Sequence, residues 1–164
     1  MLKLIGAVMI MLAGIGCGYS FSSKVKKHIR DIEAVNSMFT ETAMMINFNA
    51  VTFRELIIHL KECPQTRGLK FLNVDLSSVD IRDRIVESVK KNSDNFDEEE
   101  VEQLYGFFMQ LGLSDLEGQL LMTKKYHEFF RSRFENLQEE SLKKCRLYNS
   151  LGALGGAFIA VILV

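Results

Sequence analysis

His59 and Cys63 stand four residues apart, a spacing at which one helical face offers two ligands to a zinc ion. A tetrahedral site needs two more, and neither a second such pair nor a C-x-x-C occurs, so a chance pair near a helix end is expected. The acids Asp94, Asp97, Glu98, Glu99, Glu100 and Glu102 are dense enough to collect calcium. They lack the D-x-[DN]-x-[DN]-G order of a calcium loop, and a solvated helix start is expected, where the backbone dipole favours negative charge. His28, His59 and His127 are far apart in sequence, and His127 falls on an apolar stripe that suits a core or boundary histidine better than a general base. Walker A, G-x-G-x-x-G, H-E-x-x-H and G-x-S-x-G patterns are all missing. The expectation is therefore no catalytic residue, no metal site, no cofactor and no small-molecule substrate.

What remains is the chemistry of docking. Gly14 and Gly18 are four apart in one apolar segment, and Gly152 and Gly156 are four apart in another, so each pair can form a small-residue strip for close helix packing within a bilayer. Around Leu111–Gln119, Gly112 can take the positive φ that stops one helix, and Ser114 can cap the next. Ser114-Asp115-Leu116-Glu117 has the spacing of a capping box, and Asp115 adds favourable charge to the first turn.

The elements that position these groups follow from charge. Leu4 to Phe21 and Leu147 to Val164 are each eighteen residues without an ionisable acid or base, about the length of a helix that crosses a bilayer core. All 21 acids, and every Lys or Arg except Lys3, lie between residues 24 and 146. Lys24, Lys26, Lys27 and Arg30 follow the first segment, and Lys143, Lys144 and Arg146 precede the second. On the positive-inside rule both edges face the cytoplasm. The expected organisation is an N-terminal membrane helix over residues 1–23, a cytoplasmic domain over 24–146 and a C-terminal membrane helix over 147–164. A secretory signal or lipoprotein site at Gly16-Cys17 fits less well, because Gly14 stands where such a site usually has Leu and the basic cluster follows the apolar run. The near-neutral middle carries no general nucleic-acid footprint.

Within 24–146 the period is helical. Val25, Ile29, Ile32, Val35, Phe39, Ala43 and Ile46 recur at steps of three and four. Thr52 and Glu55 have capping-box spacing before a short helix that Cys63-Pro64 stops. A brief helix is possible through Leu69, Phe71 and Leu72. Ile81, Ile85 and Val89 share a face in a helix from about Ser78 to Lys91. The next helix turns Val101, Leu104, Phe108 and Leu111 inward and ends at Gly112. The last carries Leu116, Leu120, Phe130, Phe134, Leu137, Cys145 and Tyr148 on one stripe, with no proline before the second apolar segment. An all-α cytoplasmic helical bundle between two transmembrane helices is the expected fold.

The run Leu111-Gly112-Leu113-Ser114-Asp115 with Gln119, and the ending from Leu147-Tyr148-Asn149-Ser150 through Gly152, Gly155 and Gly156 to Val161-Ile162-Leu163, resemble the signatures of the stage III sporulation protein AB family. The resemblance spans the whole chain. One departure stands at Phe48-Asn49-Ala50-Val51-Thr52-Phe53, where the family commonly has an aromatic-Gly-x-Thr-Pro-Leu turn and this chain has Thr52 in the proline position. The family resembles the inner-membrane platform proteins of type II secretion and type IV pilus machines. The resemblance implies a non-enzymatic membrane subunit of the channel complex between mother cell and forespore, on the mother-cell side. It implies as partners a secretion-type ATPase, stage III sporulation protein AA, and ring-forming membrane subunits, with homo-oligomers possible. Leu111, Gly112, Ser114, Asp115 and Gln119 are then the candidate partner-binding corner, while Gly14, Gly18, Gly152 and Gly156 are the candidate membrane-packing strips. A generic membrane-tethered adaptor outside sporulation and a membrane-anchored enzyme without a motif are the other classes.

Overall fold

The computed structural model describes the backbone of residues 2–48, 51–77 and 80–163, and the side chains of residues 25–48, 51–77, 80–141 and 143. Five α-helices and one 3-10 turn follow in order, with no strand among the described residues: α1 (Leu2–Phe48), α2 (Phe53–Glu62), the turn Lys70–Leu72, α3 (Ile81–Lys91), α4 (Glu98–Gln110) and α5 (Leu116–Leu163). The chain divides into two compact units. One is residues 28–135; the other is residues 1–27 with 136–164. Among the described residues no helix is long and apolar enough to cross a membrane. The expected spans, with Gly14, Gly18, Gly152 and Gly156, lie outside the residues whose side chains are described.

Residues 28–135 form a helical bundle around aromatic rings. Ile32, Val35, Met38, Phe39 and Ile46 line the buried face of α1, at the spacing of an amphipathic stripe. Phe39 meets Phe107 of α4 edge-on at 4.8 Å and Phe130 of α5 at 5.5 Å between ring centroids. Phe107 also meets Tyr126 of α5 at 5.6 Å, and Phe108 meets Phe71 of the 3-10 turn at 6.0 Å. The stretch after Pro64 is thus tied into the core: Leu69, Phe71 and Leu72 are buried, and the buried Thr66 hydroxyl donates to the Leu60 carbonyl. Thr52 caps α2 in a full capping box with Glu55, as the spacing predicts.

Three expectations need correction. Helix α3 begins at Ile81 rather than near Ser78, behind an Asp80 cap that makes no side-chain hydrogen bond. Phe107 is buried, whereas Val101 is only half-buried. On α5 the buried run is Thr123, Tyr126 and Phe130, while Leu116 is 53% exposed, because the first turn of the helix is taken up by the corner that precedes it.

Gly106 of α4 makes room for the Tyr126 side chain of α5. A Cβ at this position would lie 2.9 Å from the Tyr126 hydroxyl, which is also the acceptor for Gln110 Nε2. Gly106→Ala should destabilise the protein by up to about 2 kcal/mol, since overpacking of about 1–3 kcal/mol opposes the helix-propensity gain of about 1 kcal/mol. Adding Tyr126→Phe removes the clashing atom and should recover most of that loss in equilibrium unfolding. A double variant no more stable than Gly106→Ala would place the strain elsewhere.

Candidate functional site: a groove between two turns

The corner between α4 and α5 is built by local chemistry. Leu111, 2% exposed, anchors the end of α4 in the core. Gly112 then turns the chain with φ +80, a conformation that costs an L side chain energy. The cap of α5 is Asp115, not Ser114: Asp115 Oδ1 accepts from the Gly118 amide at 3.0 Å, and the Asp115 carbonyl accepts from the Gln119 amide at 2.9 Å. Ser114 is exposed and contributes its carbonyl, to which Gln119 Nε2 donates at 2.9 Å. A Cβ at Gly118 would sit 2.7 Å from Asp115 Oδ1, so a larger residue there would make the exposed carboxylate shift. Asp115→Ala should therefore cost about 1 kcal/mol as a lost cap, and Ser114→Ala less than about 0.5 kcal/mol. Equal losses in the melting of the two variants would contradict the assignment of the cap.

This corner does not stand alone. Leu111, Gly112 and Gln119 line one side of a groove of about 200 Å³, and Val51, Thr52 and Phe53, from the turn between α1 and α2, line another. Arg82 of α3 also lines it. Its Nη1 donates to the Met109 carbonyl at 3.0 Å, at the negative end of the α4 dipole, and its guanidinium lies 5.0 Å from the Phe53 ring centroid. Arg82 thereby holds the start of α2 and the end of α4 together. Its sequence position, off the Ile81, Ile85 and Val89 face, signals only solvent.

Exposed large apolar side chains gather around the same two turns. Phe48 (76%) precedes one, and Leu113 (73%) and Leu116 (53%) belong to the other. Met44, Met109 and Leu121 are also exposed, each within one helical turn of these segments. Of the expected corner residues, Gly112, Ser114 and Asp115 are exposed, Gln119 lines the groove, and Leu111 is a buried anchor whose side chain also lines it.

The other candidate clusters resolve differently. His59 Nε2 pairs with Glu41 Oε2 at 3.0 Å, and Cys63 Sγ contacts Gln65 Oε1 at 2.9 Å, so the two side chains have separate partners. Among the described residues no group of three His, Cys, Asp or Glu could hold a metal ion. His127 stacks on Phe39 with ring centroids 6.0 Å apart, and burial keeps it below its usual 6.5.

The acidic run is only partly a solvated helix start. Asp97 caps α4 in a capping box, and its partner Glu100 is 1% exposed. Glu100 Oε1 lies 3.3 Å from His28 Nε2 of α1 and 3.4 Å from Arg133 Nε of α5. Arg133 Nη2 also reaches Asp97 Oδ2 at 2.7 Å and Glu99 Oε2 at 2.9 Å. The Glu100 carboxylate beside it raises the His28 pKa above 6.5 against the opposing effect of burial. This cluster ties the start of α4 to both long helices.

No curated protein and no solved structure shows significant similarity to the chain. The family model described as stage III sporulation protein AB matches residues 3–164, covering both turns of the groove and the two apolar segments, and the chain belongs to that family of sporulation proteins.

Proposed function

We propose that this protein is a non-enzymatic platform subunit of the secretion-like channel complex between mother cell and forespore. In this reading Leu4–Phe21 and Leu147–Val164 anchor it in the mother-cell membrane with residues 24–146 in the cytoplasm. Gly14, Gly18, Gly152 and Gly156 pack membrane helices, and the cytoplasmic bundle docks a secretion-type ATPase of the stage III sporulation protein AA kind. ATP chemistry belongs to that partner, in keeping with a chain that lacks a phosphate loop.

The observation that carries the docking is the groove. Two turns 60 residues apart in sequence line the same depression, and exposed Phe48, Leu113 and Leu116 lie beside or within them in sequence. Thr52 lines it where the family commonly has proline, so a partner contact there uses a capping hydroxyl instead of a ring. The test is affinity purification of the tagged full-length protein from sporulating cells. The ATPase and ring subunits should co-purify, and Leu113→Glu with Leu116→Glu should lower ATPase recovery at least about tenfold while expression and helicity are unchanged, as expected when charge enters an apolar contact. Undiminished recovery with the double variant would remove the groove as the docking site, and absence of both partners from the wild-type sample would remove the platform reading.

A further inference from the structure

His28 is placed where only its charged form can satisfy both neighbours. Its Nδ1 contacts the Asn95 carbonyl, and its Nε2 faces Glu100 Oε1 at 3.3 Å. A carbonyl and a carboxylate are both acceptors, so each ring nitrogen must bring a hydrogen, and a neutral imidazole has one. Whichever tautomer forms on deprotonation, one lone pair is turned toward an oxygen.

The surroundings determine what the loss of that proton does. Asp97 adds a further negative charge toward the ring, and the Phe96 ring packs against it at 6.4 Å. On α1, Asp31 Oδ2 accepts from Asn95 Nδ2 at 2.8 Å, a second link between α1 and the residues before α4. From α5, Arg133 shares Glu100 Oε1 and also holds Asp97 and Glu99. Glu100 therefore keeps a cation when His28 is neutral, and the carboxylate stays inside. What weakens is the attachment of α1 to the start of α4.

We propose that His28 is a proton-operated latch: protonated, it fastens α1 to the Asn95–Glu100 segment through both ring nitrogens, and neutral, it lets that segment loosen from α1 while Arg133 still holds it to α5. The latch lies at one end of the 28–135 unit, next to the positions where α1 and α5 cross its limits. A rise of local pH through the His28 transition, above 6.5, would thus alter how firmly the two long helices are joined through α4.

Two measurements on the full-length protein test this. Titration of the labelled histidine ring carbons by NMR should give His28 a midpoint above 6.5, with His127 below it. Hydrogen exchange, corrected for the intrinsic pH dependence, should show protection of the Phe96 to Val101 amides falling severalfold between about pH 5.5 and about pH 8. His28→Gln should hold those amides at the low-protection level across the range. A His28 midpoint at or below 6.5, wild-type protection that does not vary with pH, or unaltered pH dependence in His28→Gln would each overturn the latch. The two wild-type measurements decide the matter by themselves should the variant fail to fold.

Discussion

Truncating Phe39 to alanine should lower the unfolding free energy of the full-length protein by about 3–5 kcal/mol, the usual cost of deleting a fully buried ring. Phe39 is 0% exposed and joins three helices: it meets Phe107 of α4, and Phe130 and His127 of α5. Packed aromatic pairs of this kind add to the area term, and the rigid neighbours leave little scope for the site to collapse. A second readout distinguishes cavity formation from general damage. Burial holds His127 below 6.5, so its contribution to stability is complete above 6.5 and falls away as the pH drops from there toward the folded value. Opening the Phe39 face to water should move the His127 midpoint back up toward 6.5. A loss under about 1.5 kcal/mol with the His127 midpoint unmoved would mean that the ring cluster is not the centre of the core.

The aromatic centre was legible in sequence because it rests on period alone. Ile32, Val35, Phe39 and Ile46 on α1, and Ile81, Ile85 and Val89 on α3, fall inside where the steps of three and four place them. The Thr52–Glu55 box and the positive φ of Gly112 were legible for a different reason, since both are decided by neighbours within three residues. Ser114 misled because two adjacent residues could cap α5, and the helix starts after Asp115, whose carboxylate accepts from the Gly118 amide. The expected membrane spans rest on sequence alone, their side chains lying outside the described residues.

Long-range pairs were out of reach. Arg82 finds the Met109 carbonyl 27 residues away, and no periodicity encodes that meeting. Glu100 did leave a signal that went unused. Asp97-x-x-Glu100 has capping-box spacing, and Glu100, Leu104, Phe107 and Phe108 follow at helical steps on the buried face of α4. Charge density points the whole run toward solvent, and only the spacing marks Glu100 as an inward residue.

Replacing Glu100 by alanine should lower stability by about 2–3 kcal/mol near pH 6 and by less at about pH 8.5. Removing one partner of a buried ion pair commonly costs about 3–5 kcal/mol because the other charge is stranded. Here His28 and Arg133 are 22% and 33% exposed, and Arg133 keeps Asp97 and Glu99, so the penalty is reduced by solvent and by the remaining partners. The variant also loses half of the α4 capping box, since Glu100 Oε2 accepts from the Asp97 amide at 2.9 Å. The pH dependence follows from His28. Its folded value is raised above 6.5, first by the bond to Glu100, so the stability it contributes is present below 6.5 and is lost as the pH rises through the folded value. Alanine at position 100 removes the largest part of that contribution, leaving Asn95 and Asp97, and the difference between wild type and variant must therefore shrink toward alkaline pH. His127 works in the opposite sense but does so in both proteins, and it cancels in the difference. Urea unfolding of both full-length proteins at the two pH values measures the change directly. An equal difference at both would show that His28 and Glu100 are neighbours without being energetically coupled.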